Sequence, residues 1–193
     1  MRSRGISPAA LPALAALALT MGLSACHKTP PAPQGAAAAG VKPGQVLPAG
    51  VKAENLACTL LTRDDAETQL GGAVQAPITS LTADIGQVSS RCAYISVDTH
   101  PVKVLTLLAT RWEKAPDATM GYERAHVMAQ TISGQLPETI EGLGQRAYWV
   151  GGTLNRLNVL SGNTWLVITA NLGPGVDQQA PAKAAAAAIL RHL

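Results

Sequence analysis

The chain has 193 residues, enough for one ordinary domain, with 14% charged and 3% aromatic residues and no Phe. Its core must therefore be built from Leu, Val, Ile, Ala and Met, with Trp112, Trp149, Trp165, Tyr94, Tyr122 and Tyr148 as the large pieces. The formal charge of +3 misleads about partners: Arg2, Arg4, Lys28, Lys42 and Lys52 all precede residue 53, leaving 10 basic against all 12 acidic residues, a net of −2, with no basic run. Nucleic-acid binding needs a clustered positive footprint and is not expected.

The first 25 residues read as a secretory signal. Met1 to Gly5 is a short positive segment, and Ile6 to Gly22 is apolar and rich in Ala and Leu. A spanning helix needs about 20 apolar residues, and no second segment of that length follows. The leader ends in Leu23-Ser24-Ala25-Cys26, which resembles the lipobox of bacterial lipoproteins. The resemblance implies diacylglyceryl transfer to the Cys26 thiol, cleavage before it, and N-acylation, with palmitate-type chains as the anchor. A thiolate suits that reaction as nucleophile, and several chains together hold where one alone binds only marginally. The alternative is an ordinary signal peptide with an incidental cysteine. His27 is not the Asp that favours inner-membrane retention in enteric-type bacteria. The expected address is the cell envelope, at an outer membrane facing the periplasm where the cell has one.

From residue 26 to 53 the chain carries Pro30, Pro31, Pro33, Pro43 and Pro48, four consecutive alanines and several glycines, without periodicity. This composition predicts a tether. Flexible-coil scaling gives it a typical reach of roughly 25–30 Å. The folded domain is expected over 54–193.

Within it, Thr62 can cap a short helix that Gly71 stops, with Asp65 at the third position. After a loop, strands are predicted at 91–97 and 102–110 around a turn at Asp98–Pro101. A helix opens at Asp117 or Thr119 and runs to Ser133, its Ala125, Met128, Ala129 and Ile132 recurring at helical spacing although Gly121 interrupts it. A loop covers 137–145. Strands at 146–150, 154–160 and 164–170 follow, joined by hairpin turns at Gly151-Gly152 and Ser161-Gly162-Asn163. An Ala-rich helix over 181–192 closes the chain, with Pro181 in its first turn. The order helix, strands, helix, three-stranded meander, helix predicts an α+β fold: an antiparallel sheet flanked by helices. A weak two-fold repeat is compatible with that order.

Three cysteines make an odd count. Lipidation of Cys26 leaves Cys58 and Cys92, and an exported chain folds in an oxidising compartment, so a disulfide is the default. A free redox thiol and a metal ligand are the alternatives. There is no Cys-x-x-Cys, and His27, His100, His126 and His192 lack ligand spacing, so no metal or cofactor is expected.

The segments "ACTLLTRDDAETQLGG" (57–72), "SSRCAY" (89–94) and "EGLGQRAYW" (141–149) resemble, in this order, a family of bacterial lipoproteins of unknown function best known from actinobacteria. That family has a Cys-x-Leu-Leu-Thr start, a second cysteine before an aromatic residue and a Gly-Leu-Gly-x-x-Ala segment opening a strand. The resemblance covers residues 56–193, implies a fold similar to the PsbP-like sandwich, supports the disulfide and transfers no catalytic residue.

No catalytic motif is found. The Gly-x-Ser-x-Gly elbow of serine hydrolases is absent. Asp64 and Asp65 suit a helix N-terminus, Glu138 and Glu141 suit a solvated loop, and Gly142-Leu143-Gly144 lacks the strand-before, helix-after setting of a phosphate loop. His126 and His100 read as packing or solvated residues. One constellation points to binding. Tyr148 and Trp149 are adjacent, so one faces away from the core, while Arg156 and Trp165 lie on the next two strands. An aromatic and Arg156 on one face would form a stacking surface for a sugar, a lipid headgroup or a peptide. The bland alternative makes Trp149 and Trp165 core. The expected function is non-catalytic binding or scaffolding, with an envelope protein or small ligand as partner besides the membrane. An envelope hydrolase with a noncontiguous site, or a carrier of a small lipid or apolar ligand, is the alternative.

Overall fold

In the computed structural model, which describes residues 55–97 and 99–193, the domain opens with a five-residue helix, α1 (Leu56–Leu60). The leader, Cys26, the tether, Glu54 and the Asp98 position of the predicted turn lie outside the described residues. Asn55 caps α1 through its side chain. At α2 (Arg63–Leu70) the expected reciprocal cap forms: the Asp65 N–H donates to Thr62 Oγ1, and the Thr62 N–H donates to Asp65 Oδ2. Gly71, at φ 75°, ends the helix in the left-handed conformation. Lys103 Nζ then donates to the Leu70 carbonyl at 2.9 Å, satisfying an acceptor the helix end leaves free.

Seven strands follow: β1 (Ile78–Asp84), β2 (Gln87–Ile95), β3 (Val104–Trp112), β4 (Glu138–Thr139), β5 (Arg146–Val150), β6 (Arg156–Ser161) and β7 (Thr164–Asn171). All pairings are antiparallel, in the order β1-β2-β3-β7-β6-β5-β4. Helix α3 (Ala115–Ser133) separates β3 from β4, and α4 (Gln179–Leu190) closes the chain. The fold is the expected α+β arrangement, with helices on both faces.

Strand alternation divides the side chains between those faces. The first face carries Cys92, Leu107, Trp149, Val159 and Ile168, and packs against α1, α2 and α4. Four alanines of α4, at 182, 185, 186 and 188, are buried, so the helix lies close to the sheet. The second face carries Tyr148, Val150, Leu160 and Trp165, and packs against Ala118, Tyr122 and Ala129 of α3. The Cys58–Cys92 disulfide forms, with Cα atoms 5.1 Å apart, and ties α1 to β2.

Two glycines owe their identity to close approach. A Cβ at Gly121 would stand 2.9 Å from Trp112 Cζ2, so the residue that interrupts the helical pattern is the one that lets the indole lie against α3. A Cβ at Gly144 would stand 2.6 Å from the Leu160 carbonyl, and φ there is 60°. Gly-Leu-Gly is thus a turn pressed onto β6.

The differences from expectation are local. The predicted loop before residue 91 contains β1 and the start of β2, because β1 is a polar edge strand whose inward residues are only Thr79, Leu81 and Ala83. Helix α1 is too short to display a period. The two-residue β4 occupies the predicted loop at 137–145, paired with β5. The second predicted strand is displaced, running 104–112, and α3 starts at Ala115 with Pro116 in its first turn. The repeat exists among strands alone: two meanders meet at the β3–β7 pair, but the helices that follow them, α3 and α4, take opposite faces.

Candidate ligand-binding cleft

The site grows out of three strands and one helix. Residues 148, 156 and 165 fall on the second face because β5, β6 and β7 pair in the register Tyr148↔Asn158, Asn158↔Val167 and Leu160↔Trp165. Arg156 and Asn158 are two apart on β6 and so project the same way. Helix α3 crosses above them and contributes Ala125, Met128, Ala129 and Ile132, the helical-spacing set of the sequence. Between helix and sheet lies a cleft of about 130 Å³, lined also by Leu154.

The sheet therefore brings Tyr148, Arg156 and Trp165 together and sends Trp149 elsewhere. Trp149 points to the first face, is 9% exposed and belongs to the main core. Of the four candidates, Trp149 is thus removed from the binding face and three remain, as the period of two along β5 requires.

Aromatic packing builds the cleft's walls. Tyr148 meets Tyr122 edge to face at 5.1 Å between ring centroids, and His126 at 4.7 Å. Trp165 stacks on Trp112 at 6.2 Å, tilted 20°. Arg146 lies over the Tyr122 ring and pairs with Glu123 at the surface. Burial pushes both phenols up. For Tyr122 the result is about 12, with Arg146 opposing the shift and Glu123 adding to it. For Tyr148 burial acts first, the neighbouring Tyr122 adds, and the positive charge of Arg156 opposes. Both hydroxyls stay neutral at physiological pH.

The residue sequence reasoning missed is Asn158, 2% exposed at the centre of β6. Trp165 Nε1 donates to its Oδ1 at 3.3 Å. An indole nitrogen only donates, so this bond fixes which end of the amide is the oxygen. The other end, Nδ2, is the buried side-chain nitrogen or oxygen without a partner among the described residues. The available signal was an amide at the same strand parity as Arg156. The Arg156 guanidinium, half-buried, makes no hydrogen bond or ion pair among those residues.

A second cleft, of about 600 Å³, opens at the other end of β5 and β7, between Trp149 and the loop leading into α4. The polar groups of its loop side are already engaged. Asp177 accepts from the Gln179 N–H, Gln178 bridges the Leu172 N–H and the Gly173 carbonyl, and Gln179 donates to Glu138. It is a hydrogen-bonded corner of the fold.

Among the described residues no cluster of three His, Cys, Asp or Glu could hold a metal ion, and no helix is long and apolar enough to cross a membrane. Comparison with known proteins finds no matching family model, no matching curated protein and no matching solved structure.

Proposed function

We propose that this is a non-catalytic binding domain of the cell envelope, held at a membrane by lipid on Cys26, that takes a small group into the cleft beneath α3. The observation that carries the reading is the convergence of Tyr148, Arg156 and Trp165 on one cleft-lining face of the sheet. Aromatic faces beside an unpaired cation, set in an apolar surround, are what small-ligand sites are made of. The leader and the Leu-Ser-Ala-Cys motif support the anchor, and the Pro-, Ala- and Gly-rich segment gives the domain its reach. The resemblance to lipoproteins of unknown function agrees with this assignment and names no activity.

Volume argues for the binding reading over the carrier. Ligand pockets of drug size run about 300–1,000 Å³, whereas this cleft holds about 130 Å³. It suits a compact group, not the enclosure of a lipid chain. His126 beside Tyr148 is the nearest thing to catalytic machinery, but no hydrogen bond orients the imidazole.

The test is in-cell photo-crosslinking from position 128, at the mouth of the cleft, in the full-length protein. Capture of a defined species that Arg156→Ala reduces is expected, with Cys26→Ser moving the protein out of the membrane fraction. Capture unaffected by Arg156→Ala would remove the cleft from the reading, and unchanged fractionation would remove the anchor.

A further inference from the structure

The donors and acceptors of the α3 cleft do not balance. Asn158 Nδ2 is a buried donor without an acceptor. The amide cannot resolve this by rotating, because its oxygen already serves the Trp165 indole. Arg156, two residues earlier on the same strand face, lines the same cleft with its guanidinium unpaired. Among the described residues no Asp or Glu lines the cleft. Met128, Ile132, Leu154 and the Trp165 ring give the wall its apolar part, and Tyr148 completes it. A buried donor without an acceptor destabilises the fold, so this amide at the centre of a strand is costly unless something uses it.

We infer that the cleft binds a small apolar carboxylate, its head group accepting from Asn158 Nδ2 and Arg156 and its body lying against Met128, Ile132, Leu154 and Trp165. The inference rests on reading this cleft as the binding site and supplies the ligand's chemistry. A carboxylate only accepts, which is what two donors without acceptors require. Its planar pair of oxygens matches the guanidinium fork. A phosphate would bring more negative charge than the one cation of the cleft offsets. Size sets the body. A cavity of about 150 Å³ takes a benzene ring, so the cleft's 130 Å³ sets a tail of a few aliphatic carbons. The same head group arrives as a free acid or as the C-terminal end of a peptide.

The experiment titrates the ¹⁵N-labelled full-length protein with hexanoate, hexanamide, hexan-1-ol and N-acetyl-alanyl-leucine. It follows the Asn158 side-chain amide and the Trp165 indole, assigned through Asn158→Leu and Trp165→Phe. Hexanoate or the peptide should shift both signals saturably, and the preferred one names the source of the carboxylate. The neutral probes should bind about tenfold to a hundredfold more weakly, the measure of a charge-assisted hydrogen bond. Arg156→Gln, at a half-exposed site, should bring hexanoate down to the level of hexan-1-ol and leave hexan-1-ol unchanged. Asn158→Leu, which also takes the acceptor from the Trp165 indole, should lose hexanoate binding while the rest of the amide spectrum stays that of the folded domain. Equal binding of hexanoate and hexan-1-ol would overturn the carboxylate and leave the cleft a binding site for neutral groups. Failure of every probe to move either signal would overturn the cleft itself, its amide served by solvent alone.

Discussion

The two faces of the sheet are built on different scales. The first buries twenty-three residues in one cluster under three helices and holds the disulfide. The second buries six, under α3 alone, and aromatic contacts, edge to face at Tyr148 and stacked at Trp165, make up much of its packing. Free energy of folding is concentrated where apolar area is concentrated. The thinner face is left with an unfilled cleft, an unpaired guanidinium and a donor without an acceptor. The larger core and the cleft thus fall on opposite sides of the same strands, and adjacent residues such as Tyr148 and Trp149 belong to different faces.

Truncations on the two faces should differ sharply. Leu107→Ala, fully buried on the first face, should lower unfolding free energy by about 2–5 kcal/mol. Leu154→Ala, a half-buried wall of the cleft, should cost about 1 kcal/mol or less. Urea midpoints measure both, and equal losses would break the contrast.

The disulfide belongs to the first face. Replacing both Cys58 and Cys92 by Ser should cost about 3–4 kcal/mol on the chain-entropy account of a loop of this length, read from the same midpoints. A negligible loss would mean that the packing of α1 alone holds the chain start in place.

The smallest effect is on the second face and in alkali. Unfolded tyrosine ionises near 10, while Tyr122 in the fold is pushed up to about 12 by burial. The native state therefore holds its proton longer. Stability should be level with respect to this group below pH 10 and fall as pH rises from 10 through 12. Tyr122→Phe should flatten that part of the pH–stability curve, and an unchanged slope would show the phenol to be no more shielded than a surface tyrosine.

Much of this division was legible in the sequence, for identifiable reasons. Thr62, Asp65 and Gly71 specify α2 by local chemistry alone, and the glycine turns announce the antiparallel meander, but the parity of Tyr148, Arg156 and Trp165 depends on loop lengths the turns do not reveal: residues 151–155 join β5 to β6, and Gly162 and Asn163 join β6 to β7. The disulfide followed from arithmetic and compartment. Strand β1 was not legible because an edge strand with one half-covered face needs few apolar residues. The side of Trp149 stayed open because alternation says that neighbours diverge without saying which faces the larger core. Asn158 escaped notice because a lone amide in an apolar strand means nothing until its hydrogen-bond partners can be counted. Gly121, which weakened the case for a helix, turns out to be a packing requirement of Trp112.

The bond between Cys58 and Cys92 has a mechanical consequence. Cys58 is four residues into the described domain, and Cys92 lies on β2, which is hydrogen-bonded on both sides by β1 and β3. A pull arriving along the N-terminal chain cannot peel α1 and α2 away one turn at a time. The load passes across the sulfurs into an interior strand, where it must work against two ladders at once. For a domain held by its N-terminal end, the crosslink is a load path that takes tension past the helices and delivers it to the sheet.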